Sequence, residues 1–422
     1  MSNVPFSPPS REPQKITPGW LTDTATQAVF KALQAHGHQV RAVGGAPRNT
    51  LARTPVTDID LATTATPDET IDAAKAAGLR CIPTGLAHGT ITILSQNKTF
   101  EVTTLRQDVS TDGRRATVAF TDDWQRDACR RDFTINAIYV AADGTIFDPV
   151  GGVADLRQSR VRFIGEPQAR IREDYLRILR FFRFTGQFAQ GAIDAGGLAA
   201  CQAEREGLQN LSAERVRSEL LRLLVTPKAT QMVEAMAAAD LFAQLLSLPI
   251  RIDHFNNLVA IEEVQSLEPD GLRRLASFGI RDEQDASKLS RELRLSNDEK
   301  ARLLAIGRNQ ATPPRGCREA DLHSRLYRIG IEAYRDSELL NWARSGDDPT
   351  SDWRFQRVDL ADYWEVPEMP VSGSDVLALG MPAGPEVGKV LSALEQWWIA
   401  TGFPDDEAMV NAKLRELVHK DD

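Results

Sequence analysis

Gln39-Val40-Arg41-Ala42-Val43-Gly44-Gly45, with Asp58-Ile59-Asp60-Leu61-Ala62 a short way behind it, decides how this chain is read. The first run is a short strand stopped by two glycines, and a short helix is expected around Arg48 to Ala52. The second run is another strand. Residues two apart on a strand share a face, so Asp58 and Asp60 project together. Carboxylates held that close repel unless a cation sits between them, and hard oxygen ligands suit Mg²⁺. A glycine pair closing the preceding strand exposes backbone N–H groups to a phosphate and lets it approach. A turn and two solvated aspartates would explain the pieces singly; their order and spacing favour the joint reading.

The flanking sequence supplies the rest of a sheet. A helix is expected from Thr22 to Gln34, and Pro67 opens another that runs to about Ala77. Three β-rich runs follow at Arg80 to Pro83, Thr90 to Leu94 and Lys98 to Thr104. Glu101, inside the last of these, is either an exposed edge residue or a third carboxylate beside the first two. Residues 105–125 are polar and rich in Gly, Asp and Arg, hence a loop. Ile135 to Val140 and Thr145 to Phe147 read as a hairpin around Asp143-Gly144. Beyond Gly152 helical periods dominate. The fold class is α+β: a mixed-sheet head on a long all-α remainder.

Two further stretches carry chemistry. Arg130-Arg131-Asp132-Phe133-Thr134-Ile135-Asn136 sets two cations, a carboxylate and an amide at a strand start, and adjacent guanidiniums suit a triphosphate as well as a solvated surface. In Glu173-Asp174-Tyr175-Leu176-Arg177, continuing to Arg180 and Arg183, Asp174 and Arg177 share a helix face at i, i+3. An intrahelical ion pair is the plain alternative. Residues 157–183 nevertheless hold eight arginines against three acids, an excess that suits a polyanion.

The whole-chain charge hides this. The 422 residues carry a formal −9, which argues against a nucleic-acid partner. Residues 1–150 hold 15 basic and 16 acidic groups, 151–230 hold 13 and 9, and 231–422 hold 22 and 34. The acidity belongs to the C-terminal part. No apolar run approaches the roughly 18–20 residues of a membrane span. Residues 1–20 read as a disordered Pro/Ser-rich leader. Cys81, Cys129, Cys201 and Cys317 are widely spaced, which fits free thiols in a reducing cytoplasm and disfavours structural zinc.

Taken in order, these motifs resemble the nucleotidyltransferase superfamily that extends tRNA 3′ ends, specifically class II CCA-adding enzymes and bacterial poly(A) polymerases. The likeness runs through Val43-Gly44-Gly45-Ala46-Pro47-Arg48, Asp58-Ile59-Asp60, His88-Gly89-Thr90, Arg130-Arg131-Asp132 to Ala137, Phe147-Asp148-Pro149, Glu173-Asp174-x-x-Arg177 and Glu214-Arg215 with Glu219. It implies a polymerase β-like head over 21–150, a neck reading the base over 151–225, a helical body over 226–310 and a tRNA-binding tail over 311–422.

It also implies two Mg²⁺ held by Asp58 and Asp60, with Glu101 as a further catalytic carboxylate. Gly44, Gly45 and Arg48 are expected to hold phosphates. Arg131 and Asp132 would meet triphosphate and ribose, and Asn136 and Arg180 would share that pocket. Asp174 and Arg177 are expected to choose the base. A carboxylate accepts and a guanidinium donates, which fits the edges of cytosine and adenine and repels those of uracil and guanine. The implied substrates are therefore CTP and ATP, and the implied partner is the acceptor stem and elbow of tRNA, with neither DNA nor membrane. Ala87-His88-Gly89-Thr90 and the loop with Asp112-Gly113-Arg114-Arg115 are similar to the CCA-adding version; poly(A) synthesis and a non-catalytic RNA-binding relative are the alternatives. Pro47, Asn49 and Arg53 depart from the pattern, where relatives usually have an aliphatic residue, an acid and a glycine.

Overall fold

A computed structural model describes residues 14–86, 89–112 and 115–419. The chain divides into two compact units, residues 1–245 and 246–422.

In the first unit a seven-stranded sheet runs in the order β3-β4-β5-β2-β1-β8-β9. The strands are β1 (Val40–Val43), β2 (Asp60–Thr63), β3 (Arg80–Gly85), β4 (Thr90–Ser95), β5 (Lys98–Thr104), β8 (Tyr139–Ala141) and β9 (Ile146–Phe147). Only β2 and β5 pair in parallel, which sets Asp60 beside Glu101. Helices Thr24–Gln34 and Pro67–Ala76 cover one face; the second starts with a capping box of Thr66 and Glu69 and a proline in its first turn. Val29, Phe30, Leu33 and Ala73 pack there against Leu61, Ile91, Ile93, Phe100 and Val102. Val43, Ala62, Trp124 and Tyr139 form a core on the other side. Burying one such aliphatic or aromatic side chain contributes roughly 1.5–3 kcal/mol, and several of them back the strand that carries Asp60.

Three expectations change. The strand expected from Asp58 begins at Asp60, and Asp58 and Ile59 form an extended lead-in. Residues 105–125 are not a loop: β6 (Arg106–Asp112) and β7 (Arg115–Phe120) pair antiparallel, and helix Trp124–Cys129 follows, capped by Asp123. A ribbon held by its backbone ladder needs no apolar alternation, so a polar sequence conceals it. Gly113 and Arg114, within the stretch expected to be a flexible loop, lie outside the described residues, as do Ala87 and His88.

The expected leader is ordered from Gln14 onward. Ile146 N–H donates to the Gln14 carbonyl at 2.9 Å and Ile16 N–H to the Gly144 carbonyl at 3.0 Å. Gly144 has φ +85° and a β-carbon there would collide with the Ile16 carbonyl, so the turn requires glycine. Residues 1–13 lie outside the described residues.

No strand follows Phe147 among the described residues, as the periodicity predicts. The rest of the first unit is helical and includes Pro167–Glu173, Leu176–Phe188 and Ala213–Leu224. Phe181 of the second of these stacks on Phe163, and Phe133 packs tilted against both. Among its described residues the second unit has helices and no strand, from Ile252–Val264 to Glu407–Val418. Trp398 is buried in one of its cores, with Nε1 on the Pro404 carbonyl and Trp397 packed alongside. No helix among the described residues is long and apolar enough to cross a membrane.

Candidate active site

β1 ends at Val43, and Gly44 turns the chain at φ 74°, ψ −113° into helix Gly45–Ala52. That conformation is open to glycine and strained for other residues. The first turn of the helix lies on a cleft of about 420 Å³. Gly44, Gly45, Arg48, Asp60, Arg130, Arg131, Asp132, Asn136, Asp174, Arg177, Arg180 and Phe184 line it. All nine residues expected to hold nucleotide are in this set. Five arginines face three aspartates, so the cavity is net positive.

Asp60 enters as the first residue of β2. It is open to solvent on one side, yet its pKa is raised, first by desolvation from the surrounding cleft and then by the nearby charges of Glu101 and Asp58, with Arg131 and Arg48 partly offsetting them. A carboxylate so disfavoured in its charged form, beside two others, is relieved by a cation, and the donors are hard oxygens. The residues therefore fit a divalent metal. Asp58 is exposed, takes a hydrogen bond from Thr57 Oγ1 at 2.9 Å, and lies outside the cavity lining. Glu101 is exposed as well. It stands level with Asp60 on β5, and no three such side chains close on one point among the described residues.

Behind the arginine pair sits Asp127, which sequence reasoning missed. It is 1% exposed and holds Arg130 at 2.7 Å, Arg131 at 3.0 Å and the Tyr139 hydroxyl at 2.8 Å. Its distances of three and four residues from the two arginines are helical spacing, a signal available in the sequence. Asp132 is a second hub. Phe133 N–H and Asn136 Nδ2 donate to Oδ1, and Arg180 donates to Oδ2 at 2.6 Å. Burial opposes its charge, but Arg180 and these donors hold its pKa below the usual carboxylate range.

Asp174 and Arg177 do not share one helix as expected. Helix Pro167–Glu173 stops at Asp174, whose φ of −157° is extended, and helix Leu176–Phe188 begins two residues on. Asp174 Oδ1 takes the Leu176 N–H at 3.2 Å; a short side chain that competes for backbone N–H groups breaks a helix this way. Its Oδ2 takes Arg215 at 2.7 Å. Arg177 pairs with Glu173 at 2.6 Å and also donates to the Arg170 and Arg130 carbonyls. The intrahelical Asp174–Arg177 ion pair is absent. Each reaches the cavity braced by another partner, and Arg177 Nε has none among the described residues.

Helix Ala213–Leu224 supplies Arg215 and also Glu219, which receives Arg183 at 2.5 Å and Arg180 at 3.4 Å. Three guanidiniums crowd the Phe184 ring: Arg48 at 5.0 Å, Arg180 at 5.1 Å and Arg183 at 4.1 Å from its centroid. Phe184 was also missed; its i, i+4 relation to Arg180 placed it on the same helix face.

A glycine-started helix, a sheet-borne carboxylate and an arginine cleft on a mixed sheet are the parts of a nucleotidyltransferase. Residues 40–162 match the family model described as the poly A polymerase head domain, and 192–250 the one described as a probable RNA- and SrmB-binding site of polymerase A. The chain is 35% identical over 384 residues to CCA tRNA nucleotidyltransferase 1, mitochondrial, of Homo sapiens, covering 87% of this chain and 84% of that one. It is 30% identical over 377 residues to the CCA-adding enzyme of Geobacillus thermodenitrificans, covering 87% and 90%. The crystal structure of Bacillus stearothermophilus CCA-adding enzyme in complex with CTP, 27% identical, matches with a TM-score of 0.69 over 93% of this chain and 96% of that one. The chain belongs to the CCA-adding enzymes, the tRNA nucleotidyltransferases.

Proposed function

We propose that this enzyme completes the tRNA 3′ end, adding C, C and A from CTP and ATP and releasing pyrophosphate, without a nucleic-acid template. The observation that carries the reading is the meeting of all nine expected nucleotide contacts in one cleft beside Asp60. The Gly44 and Gly45 N–H groups and Arg48 bind the triphosphate at the start of their helix. Arg131, oriented by Asp127, adds a guanidinium. Asp132 acts mainly through Arg180 and Asn136, because its two oxygens are already filled by their donors. Asp58 and Asp60 are the residues that would hold Mg²⁺, with Glu101 adding negative field beside Asp60. When bound, the metal lowers the pKa of the RNA 3′-hydroxyl and steadies the leaving phosphates.

Asp174 keeps a lone pair on each oxygen for an exocyclic amino group, and Arg177 keeps Nε for a ring acceptor. Cytosine and adenine offer that pattern; uracil and guanine reverse it. Incorporation of labelled CTP and ATP into tRNA ending at the discriminator base tests the whole. Three nucleotides with C first support the proposal, and a long A tail would mark a poly(A) polymerase, the activity in both family-model descriptions. Asp58→Ala should abolish turnover while Asp174→Ala admits UTP and GTP. Normal selection of C and A by Asp174→Ala would overturn the base-reading role. Acceptor stem and elbow are the tRNA surfaces we expect in contact, and footprinting tests this. Four free cysteines support a reducing compartment, the cytoplasm, although the human relative is named as mitochondrial; cell fractionation decides.

A further inference from the structure

Asn49 links a cleft arginine to the chain that leads into β2. Its Oδ1 accepts from Arg48 Nε at 3.1 Å and Nη2 at 2.8 Å, while its Nδ2 donates to the Pro55 carbonyl at 2.8 Å. Its own carbonyl accepts the Thr54 N–H at 2.9 Å. Residues 54–59 have no regular secondary structure and lead directly into β2, carrying Asp58. One short side chain therefore holds both a cleft guanidinium and the strap that delivers a carboxylate.

These neighbours demand an amide. The side toward Arg48 must accept and the side toward Pro55 must donate. A carboxylate only accepts, so aspartate in this pose would set an oxygen against the Pro55 carbonyl. It would also place a negative charge on Arg48. Among the described residues every hydrogen bond of that guanidinium goes to a neutral oxygen, the third being Asn136 Oδ1 at 2.5 Å. Burial and the nearby Arg183 hold the Arg48 pKa down at about 10, so an anion beside it would be welcome. The acid that the family resemblance places here is thus not interchangeable with Asn49.

We propose that Asn49 is a positioning residue whose single amide fixes both the Arg48 fork and the Asp58 strap, and whose neutrality reserves the Arg48 charge for the triphosphate. This rests on the reading of the cleft as a triphosphate site. The test uses the full-length chain and CTP binding without tRNA, when no turnover occurs, followed by calorimetry at several ionic strengths. Asn49→Asp should weaken CTP binding by about five- to tenfold and flatten its salt dependence, as expected for losing a charge-assisted contact. Asn49→Ala should weaken binding yet keep the salt dependence, because it adds no charge beside Arg48. Both should raise the Mg²⁺ concentration needed for half-maximal incorporation, with circular dichroism unchanged. If Arg48→Ala weakens CTP binding and Asn49→Asp binds as the parent with the same salt dependence, the inference is wrong and the triphosphate reading stands. If Arg48→Ala also has no effect, the triphosphate reading falls and the inference with it.

Discussion

Asp127 never faces the cleft, yet both arginines it holds do. Burial alone would raise its pKa from the ordinary 3.8, but Arg131, Arg130 and the Tyr139 hydroxyl bring it down to about 2. The folded value lies below the unfolded one, so this charge stabilises the fold above about pH 4 and its contribution is lost as the pH falls through about 2. A depression of that size at a fully buried carboxylate is worth roughly 2 kcal/mol. Asp127→Asn should therefore lose about that much stability at neutral pH and flatten the acid limb between about pH 4 and 2. Denaturant melts across that range check it; an acid limb as steep as the parent's would place the acid sensitivity elsewhere. The same variant should weaken CTP binding through a loosened Arg131. The spacing of Asp127 to its arginines was legible in the sequence. Its burial was not, because its partners close on it from beyond its own helix: the Tyr139 hydroxyl on β8 donates to it, and the Arg106 N–H at the start of β6 also reaches it.

Among elements, the strand–glycine–helix unit is where sequence and structure agree best, since two glycines permit few other geometries. Gly44→Ala forces φ +74° on a residue with a β-carbon, a strain of about 1–3 kcal/mol. Nothing crowds a β-carbon there, so the penalty falls on backbone direction and not on packing. The expected outcome is a modest fall in melting temperature with CTP affinity down on the order of tenfold, as the helix start turns away from the phosphates. Binding unchanged beside a lower melting temperature would separate that helix start from the phosphate site. Elsewhere local patterns misled for identifiable reasons. The helix expected through Asp174 stops at that residue, whose carboxylate takes the Leu176 N–H, a side-chain competition for the backbone that periodicity does not register. The ribbon 106–120 hid because paired backbones replace the apolar alternation that marks a half-buried strand. Asp58 lies before β2 and not within it, since its strap is anchored by Asn49 and pairing starts only at Asp60, opposite Val43 and Glu101.

At the scale of the whole molecule, the charge that first argued against RNA is partitioned. Residues 1–230 sum to +3, and the acidic surplus belongs to the remainder. Some of the arginines in that remainder are spent internally, in the second unit's own network. Asp336 is 0% exposed and takes Arg273 at 2.8 Å and Arg302 at 2.7 Å, while Arg302 also reaches Asp270 and Glu262 takes Arg274 at 2.6 Å. Glu332, largely exposed, also approaches Arg302 at 3.2 Å, so three cations meet four anions, and removing part of this buried network is costly. Asp336→Ala leaves two guanidiniums without their main anion, a loss of about 3–5 kcal/mol for a broken buried pair. All of these residues lie in 246–422, whereas every residue lining the nucleotide cleft lies in 1–245. Calorimetry of Asp336→Ala should therefore show a transition moved to lower temperature, with CTP binding unchanged up to that point. If the second unit grips tRNA, affinity for tRNA should fall across the same transition while CTP binding persists. Parallel loss of CTP and tRNA binding would mean the two units unfold as one, and tRNA binding that survives the transition would assign the RNA contacts to the arginine-rich first unit alone.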